Sequence, residues 1–158
     1  MLFNNLMHVS FYTDRLEAME DFYINKLGGE LKIVTRAKAY LDRPQSGYHA
    51  LALADPEKVI IVYIELAPGQ FVELFPKNEG QGPAPRMGEN LGYAHFALTV
   101  DDIFAAREEL ERRGVVFDTE ISKGPSETYQ MWVHDPDGNA FEIMQYTSRS
   151  FQVVGHIM

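Results

Sequence analysis

Cysteine is absent from the 158-residue sequence, which excludes disulfide bonds, thiolate metal sites and cysteine nucleophiles together. Positive charge is scarce, because 14 Lys and Arg residues stand against 23 Asp and Glu residues and leave a formal net charge of −9. The phosphate backbone of a nucleic acid and an anionic membrane surface would both repel such a chain. We therefore expect neither nucleic acid nor a membrane as a partner.

Long hydrophobic runs are also missing. The longest run, 59–64, has six residues, whereas a membrane-spanning helix needs about 20. The first ten residues lack the basic start and the long apolar stretch of a secretory signal. Apolar residues nevertheless make up 46% of the chain, which is enough to fill a hydrophobic core. We expect a soluble, cytoplasmic protein in which residues 1–158 form a single domain.

An internal repeat organises the sequence. His8 is followed six residues later by Asp14, and His95 is followed six residues later by Asp101. In both places a strand-like alternation of apolar and polar residues surrounds the histidine, and a helix-like pattern follows the aspartate. The two stretches therefore match in type and in spacing.

The repeat continues at the far end of each half. Glu73 and Glu142 each lie within an apolar, strand-like run, and each follows a glycine after three intervening residues. Between the helix and this last strand, further strands are predicted at about 31–36, 48–54, 58–66, 115–118 and 128–134. Each half thus contains one helix and several strands.

The ends of the two predicted helices carry local signals. Asp14 with Glu17 predicts a capping box at the first helix, and Asp101 or Asp102 can cap the second. Both helices are predicted to end through a left-handed glycine, at Gly28 and Gly114.

The pattern predicts an α+β fold of two β-α-β-β-β modules, at 5–76 and 92–146. A Pro- and Gly-rich linker at 77–91 joins them, and residues 147–158 form a tail. In each module one helix would cover one face of a small sheet and leave the other face free to line a cavity.

Four side chains are candidate metal ligands. His8 and His95 occupy matching places in the first strand of each module, and Glu73 and Glu142 do so in the last. A carboxylate among apolar neighbours needs a partner, because burying it unpaired is costly. If a pseudo-twofold axis relates the modules, the four can meet at its centre, where two neutral imidazoles and two carboxylates would neutralise a divalent cation.

With these features the chain resembles the vicinal oxygen chelate superfamily, and within it the glyoxalase I-like (lactoylglutathione lyase-like) branch. The matching segments are His8–Phe11, Asp14–Gly29, Phe71–Phe75, Gly92–Val100 and Asp135–Ile143. The resemblance implies a fold in which the two modules form a half-open barrel of mixed sheet. It also implies a homodimer that acts on a small molecule, with each site drawn from one chain or from two.

The resemblance further implies an activity. His8, Glu73, His95 and Glu142 would bind one divalent ion, nickel or zinc, because glyoxalase I-like members use two histidines and two carboxylates. That ion would stabilise the enediolate formed from the adduct of a 2-oxoaldehyde and a thiol, and the product would be a 2-hydroxyacyl thioester. Glu142 is the preferred base, and Glu73 is the second candidate in a proton shuttle.

Two alternatives from the same superfamily stay open. Ring-cleaving dioxygenases use two histidines and one glutamate, here His8, His95 and Glu142, with iron or manganese. Bleomycin-resistance-like members bind small molecules without a complete metal set. Tyr12 stands near the place where the bacterial glyoxalase pattern has an arginine that grips glutathione, so a different thiol or another substrate with vicinal oxygens fits as well.

Overall fold

The computed structural model describes residues 2, 4–83, 87–89 and 91–157. The chain divides into two compact units, Met1–Gln81 and Gly82–Met158. Part of the expected linker, residues 84–86 and 90, lies outside the described residues, as does the last residue of the expected tail. The predicted α+β class is confirmed, since each unit combines helix with an open four-stranded mixed sheet.

The first unit follows the predicted order of elements, with one additional segment between its second and third strands. This segment, residues 37–54, is the helical excursion. Its elements are β1 (His8–Thr13), α1 (Leu16–Glu20) with a π-helical continuation (Asp21–Lys26), β2 (Glu30–Arg36), a 3-10 turn (Ala37–Tyr40), α2 (His49–Ala54), β3 (Val59–Ala67) and β4 (Gln70–Pro76). The strand order is β1-β4-β3-β2. The β1–β4 pair is parallel, and the other two pairs are antiparallel.

The second unit repeats this topology. Its elements are β5 (Phe96–Thr99), α3 (Ile103–Arg112), β6 (Ser122–Lys123), β7 (Tyr129–His134), β8 (Ala140–Gln145) and α4 (Phe151–Val154). The strand order is β5-β8-β7-β6, and again the first and last strands are parallel while the others are antiparallel. The repeat in the sequence is therefore a repeat in topology. None of the described helices is both long and apolar enough to span a bilayer.

Alternation along the strands separates two faces of each sheet. The face of the first sheet that packs against the helix is buried and apolar, and it includes Phe11, Val62, Ile64, Val72 and Leu74. The corresponding buried side chains of the second sheet are Met131, Val133, Phe141 and Ile143. His8, Glu73 and Glu142 alternate with the buried apolar residues of their strands. They therefore belong to the opposite face of each sheet, which is the open one.

The prediction of a strand at 48–54 is wrong, because this segment contains α2. Its sequence, His-Ala-Leu-Ala-Leu-Ala, consists mainly of strong helix formers. Ala52 is buried against Ala37 and Ile60, and these three residues form a small hydrophobic core of their own. Helix propensity and this local packing together outweigh the strand-like alternation.

The predicted strand at 115–118 is also wrong, apart from a single bridge between Phe117 and Val133. The backbone N–H of Val115 bonds back to the carbonyl of Leu110 at the end of α3. The backbone there is still completing the helix terminus, and the pairing with β7 is taken up later, by β6.

Only one of the two predicted helix caps is present. The Asp102 side chain accepts hydrogen bonds from the backbone N–H groups of Phe104 and Ala105, as predicted. The capping box of Asp14 and Glu17 is wrong, because α1 has Arg15 in the N-cap position and no side-chain cap. The left-handed glycines are confirmed, with φ of 81° at Gly28 and 78° at Gly114.

Gly29 allows the end of the first helical segment to approach the sheet closely. A Cβ atom at this position would lie 2.7 Å from the carbonyl oxygen of Tyr23 and 2.7 Å from Cγ2 of Ile64. A backbone carbonyl cannot yield in the way the end of a flexible side chain can. The contact between helix and sheet therefore requires glycine.

We expect Gly29→Ala to lower the free energy of unfolding by about 1–3 kcal/mol, the usual cost of overpacking. Gly47→Ala is the matched control, because nothing lies within 4 Å of a Cβ built there. Urea unfolding of the two variants and the wild type measures the difference. Equal stability of the two variants would contradict the steric requirement at Gly29.

Candidate functional site

The first unit brings His8 and Glu73 together on the open face of its sheet. Strands β1 and β4 are parallel neighbours, and their register sets Ser10 opposite Glu73. His8 is two residues before Ser10 and shares its face. The Nε2 atom of His8 lies 3.4 Å from Oε2 of Glu73, and the imidazole is 36% exposed while the glutamate side chain is 8% exposed.

The second unit contains an equivalent pair. The register of β5 and β8 sets Ala97 opposite Glu142, and His95 lies two residues before Ala97, just outside β5. The Nε2 atom of His95 lies 3.6 Å from Oε2 of Glu142. The imidazole is again 36% exposed, and the glutamate side chain is 14% exposed.

The spacing within each pair suits two ligands of one metal ion. Ligand atoms about 2.1 Å from one cation, at angles of roughly 90–110°, lie roughly 3.0–3.4 Å apart. The separations of 3.4 and 3.6 Å agree with this within a few tenths of an ångström. Imidazole nitrogen and carboxylate oxygen are also common donors to zinc and nickel. The donor sets therefore fit the predicted ion.

Each unit supplies two of the four predicted ligands. Across the described parts of the chain, no three His, Asp or Glu side chains are grouped closely enough to hold a metal ion. The structure therefore brings together His8 with Glu73, and His95 with Glu142. The convergence of all four side chains on one ion stays a prediction.

Two further side chains lie beside Glu73. The hydroxyl of Ser10 donates a hydrogen bond of 2.5 Å to its Oε2 atom. Tyr63 lies opposite Glu73 on β3, so that its phenol is a close neighbour of the carboxylate. Burial first, and then the interaction with the Glu73 carboxylate, raises the pKa of Tyr63 to about 12. The phenol therefore stays protonated, and able to donate, at neutral pH.

The helical excursion adds tyrosines near the first pair. Burial raises the pKa of Tyr48, and the nearby Tyr12, Tyr40 and Glu73 raise it further. The ring of Tyr40 lies 5.2 Å from that of Tyr48, measured between ring centroids. The sequence pattern does not predict this group, because it predicts a strand at 48–54 where the structure has α2. The helix-forming composition of α2 is the signal that could have revealed it.

Comparison with known proteins gives a consistent family. The family model for the Glyoxalase/Bleomycin resistance protein/Dioxygenase superfamily matches residues 5–143. A search of curated protein sequences finds none that matches the chain.

Solved structures of similar proteins have the same fold, and the match covers nearly the whole length of both chains. A glyoxalase family protein from Enterococcus faecalis is 22% identical, with a TM-score of 0.67, over 91% of this chain and 99% of that one. A lactoylglutathione lyase from Agrobacterium tumefaciens is 21% identical, with a TM-score of 0.59, over 92% and 96%. A superfamily member from Sphaerobacter thermophilus is 23% identical, with a TM-score of 0.60, over 92% and 100%. Together with the family match, they confirm the vicinal oxygen chelate fold.

We expect Glu73→Gln to lower the pKa of Tyr63, because the substitution removes the negative charge that opposes ionisation of the phenol. The pKa should stay above the usual value of about 10 because burial persists. The ring Cζ resonance of Tyr63 in metal-free, tyrosine-labelled protein reports the ionisation, with Tyr63→Phe to assign it.

Tyr93 provides the internal control. Its pKa is also raised to about 12, but by burial and by the charge of Asp135. Glu73→Gln should therefore leave Tyr93 unchanged. An equal shift of both tyrosines, or of neither, would contradict the contact between Tyr63 and Glu73.

Proposed function

Because the chain belongs to the Glyoxalase/Bleomycin resistance protein/Dioxygenase superfamily, we propose that it is a metal-dependent lyase of the glyoxalase I type. Its reaction would convert the adduct of a 2-oxoaldehyde and a thiol into a 2-hydroxyacyl thioester. The observation that carries this proposal is the presence of two equivalent His–Glu pairs, with separations of 3.4 and 3.6 Å. Two carboxylates in the site, rather than one, favour this activity over ring cleavage.

His8, Glu73, His95 and Glu142 would hold one divalent ion, with nickel or zinc as the candidates. Two neutral imidazoles and two carboxylates balance the charge of such an ion and leave coordination positions for substrate. When bound, the ion supplies Lewis acidity to two adjacent oxygens of the substrate, which makes the neighbouring C–H proton easier to remove.

Glu142 is the proposed base. Its carboxylate would accept the C–H proton of the adduct and return it to the adjacent carbon, so that the glutamate is regenerated in each turnover. The side chain is half-buried beside His95, and it is more exposed than Glu73. Proton transfer by a positioned group of this kind contributes about 10²- to 10⁴-fold to a rate.

We propose a homodimer as the working unit, with the four ligands drawn from one chain or from two. A mixture of inactive variants distinguishes these arrangements. One variant carries His8→Ala with Glu73→Gln, and the other carries His95→Ala with Glu142→Gln. A site built across two chains regains activity in the hybrid dimer, because one intact pair from each chain can meet. A site built within one chain stays inactive.

The metal site is tested on protein purified without added metal. We expect about one divalent ion for each set of four ligands, and loss of that ion in His8→Ala and His95→Ala, measured by elemental analysis. His134→Ala is the matched control, because His134 lies at the end of β7 and pairs with Asp118 at 2.7 Å. Retention of metal by the variants at His8 and His95 would contradict the site.

The activity is tested by thioester formation from methylglyoxal with several thiols. We expect Glu142→Gln to lower kcat by about 10²- to 10⁴-fold, with the metal content checked in parallel. Bound metal without turnover for any thiol would reject the activity and keep the site. Oxygen uptake with catechols that is insensitive to Glu73→Gln would instead identify a ring-cleaving dioxygenase with iron or manganese.

A further inference from the structure

The two glutamates occupy equivalent positions but have different neighbours. Strand pairing places Ser10 on one side of Glu73 and Tyr63 on the other. The same pairing places Ala97 and Trp132 on the two sides of Glu142, as the registers of β5, β7 and β8 show. Both halves of the repeat therefore have a glutamate at this position, but the side chains on the neighbouring strands differ.

This difference changes the hydrogen bonding of the two carboxylates. The Ser10 hydroxyl bonds to Oε2 of Glu73, the same atom that lies 3.4 Å from His8. Tyr63 lies opposite Glu73 on β3, which places a second hydroxyl beside the same carboxylate. Alanine has no donor at the position equivalent to Ser10, and within the described part of the chain His95 is the one polar side chain paired with the Glu142 carboxylate.

In both units the histidine packs against an aromatic ring at the equivalent position of the repeat. The ring of Tyr63 meets that of His8 edge to face, with 5.8 Å between centroids, and Trp132 meets His95 in the same way at 4.8 Å. Both aromatic residues therefore pack against a histidine. Tyr63 also carries a hydroxyl, which this ring packing does not require, on the strand position opposite Glu73.

Resting on the proposed function, we infer that Ser10 and Tyr63 are positioning residues that hold Glu73 in one orientation as a permanent ligand. Among the residues that the structure describes, no strand neighbour hydrogen-bonds to Glu142, so its carboxylate is the one left to move and exchange a proton. Rotation of Glu73 away from its place would break the hydrogen bond from Ser10 and separate the carboxylate from the Tyr63 hydroxyl, whereas rotation of Glu142 breaks no such bond with Ala97 or Trp132. The neighbours on the strands thus decide which of two equivalent glutamates becomes the base.

The first experiment measures metal affinity without substrate. Apoprotein is titrated with Zn²⁺ against a competing chelator, for the wild type, Ser10→Ala, Tyr63→Phe and the double variant. We expect the substitutions to weaken Zn²⁺ binding by about 10- to 100-fold, as is usual for groups that orient a ligand. Ser10→Thr keeps a hydroxyl and should retain the wild-type affinity. Thermal melting checks that each variant is folded.

The second experiment moves the restraint from one half to the other. The variant Ser10→Ala, Tyr63→Phe, Ala97→Ser removes the donors from Glu73 and offers one to Glu142. We expect the loss of kcat caused by Glu142→Gln to become smaller in this background, and the loss caused by Glu73→Gln to become larger. Unchanged dependence on the two glutamates would overturn the assignment.

The outcomes separate this inference from the proposed function. Zn²⁺ binding that is insensitive to Ser10→Ala and Tyr63→Phe overturns the positioning role while the activity stands. Weakened Zn²⁺ binding without turnover for any thiol supports the positioning role and rejects the activity. Wild-type protein that binds neither Zn²⁺ nor Ni²⁺ overturns both.

Discussion

Parallel pairing between the first and last strands of each unit is the constraint on which the candidate site depends. In the first unit this pairing sets Ser10 opposite Glu73, and His8 follows the same face two residues earlier. The second unit has the same pairing. Side chains alternate between the faces of a sheet. A shift of one residue in either register would therefore turn the glutamate toward the helix and away from its histidine.

The repeated architecture, and the matching places of the two histidines and the two glutamates, could be predicted from the sequence, because equal spacing in the two halves is visible in one dimension. The neighbours of the carboxylates could not. Ser10 and Tyr63 become neighbours of Glu73 only through the register of strands from distant parts of the chain. A pattern of apolar and polar residues indicates which face a residue occupies, but not which residue lies opposite it.

Local sequence was ambiguous where the two halves differ most. The segment 48–54 alternates in a way that suits a strand, yet its alanines and leucines favour a helix, and the packing of Ala52 against Ala37 and Ile60 settles the outcome. The first helix begins without the side-chain cap expected from Asp14. At 48–54 tertiary packing outweighs a weak local signal, which is usual for short elements.

The small core beneath α2 affects how this protein can diversify. It forms a hydrophobic cluster separate from the face that packs against the first helix, and the partly buried rings of Tyr40 and Tyr48 cover it. The buried members of this core come from the 3-10 turn, α2 and Ile60 of β3, so changes in the excursion that keep its contact with Ile60 leave β1 and β4, which carry His8 and Glu73, in place. Evolution, or a protein engineer, can therefore alter what enters the first half of the molecule while its inherited chemistry stays intact.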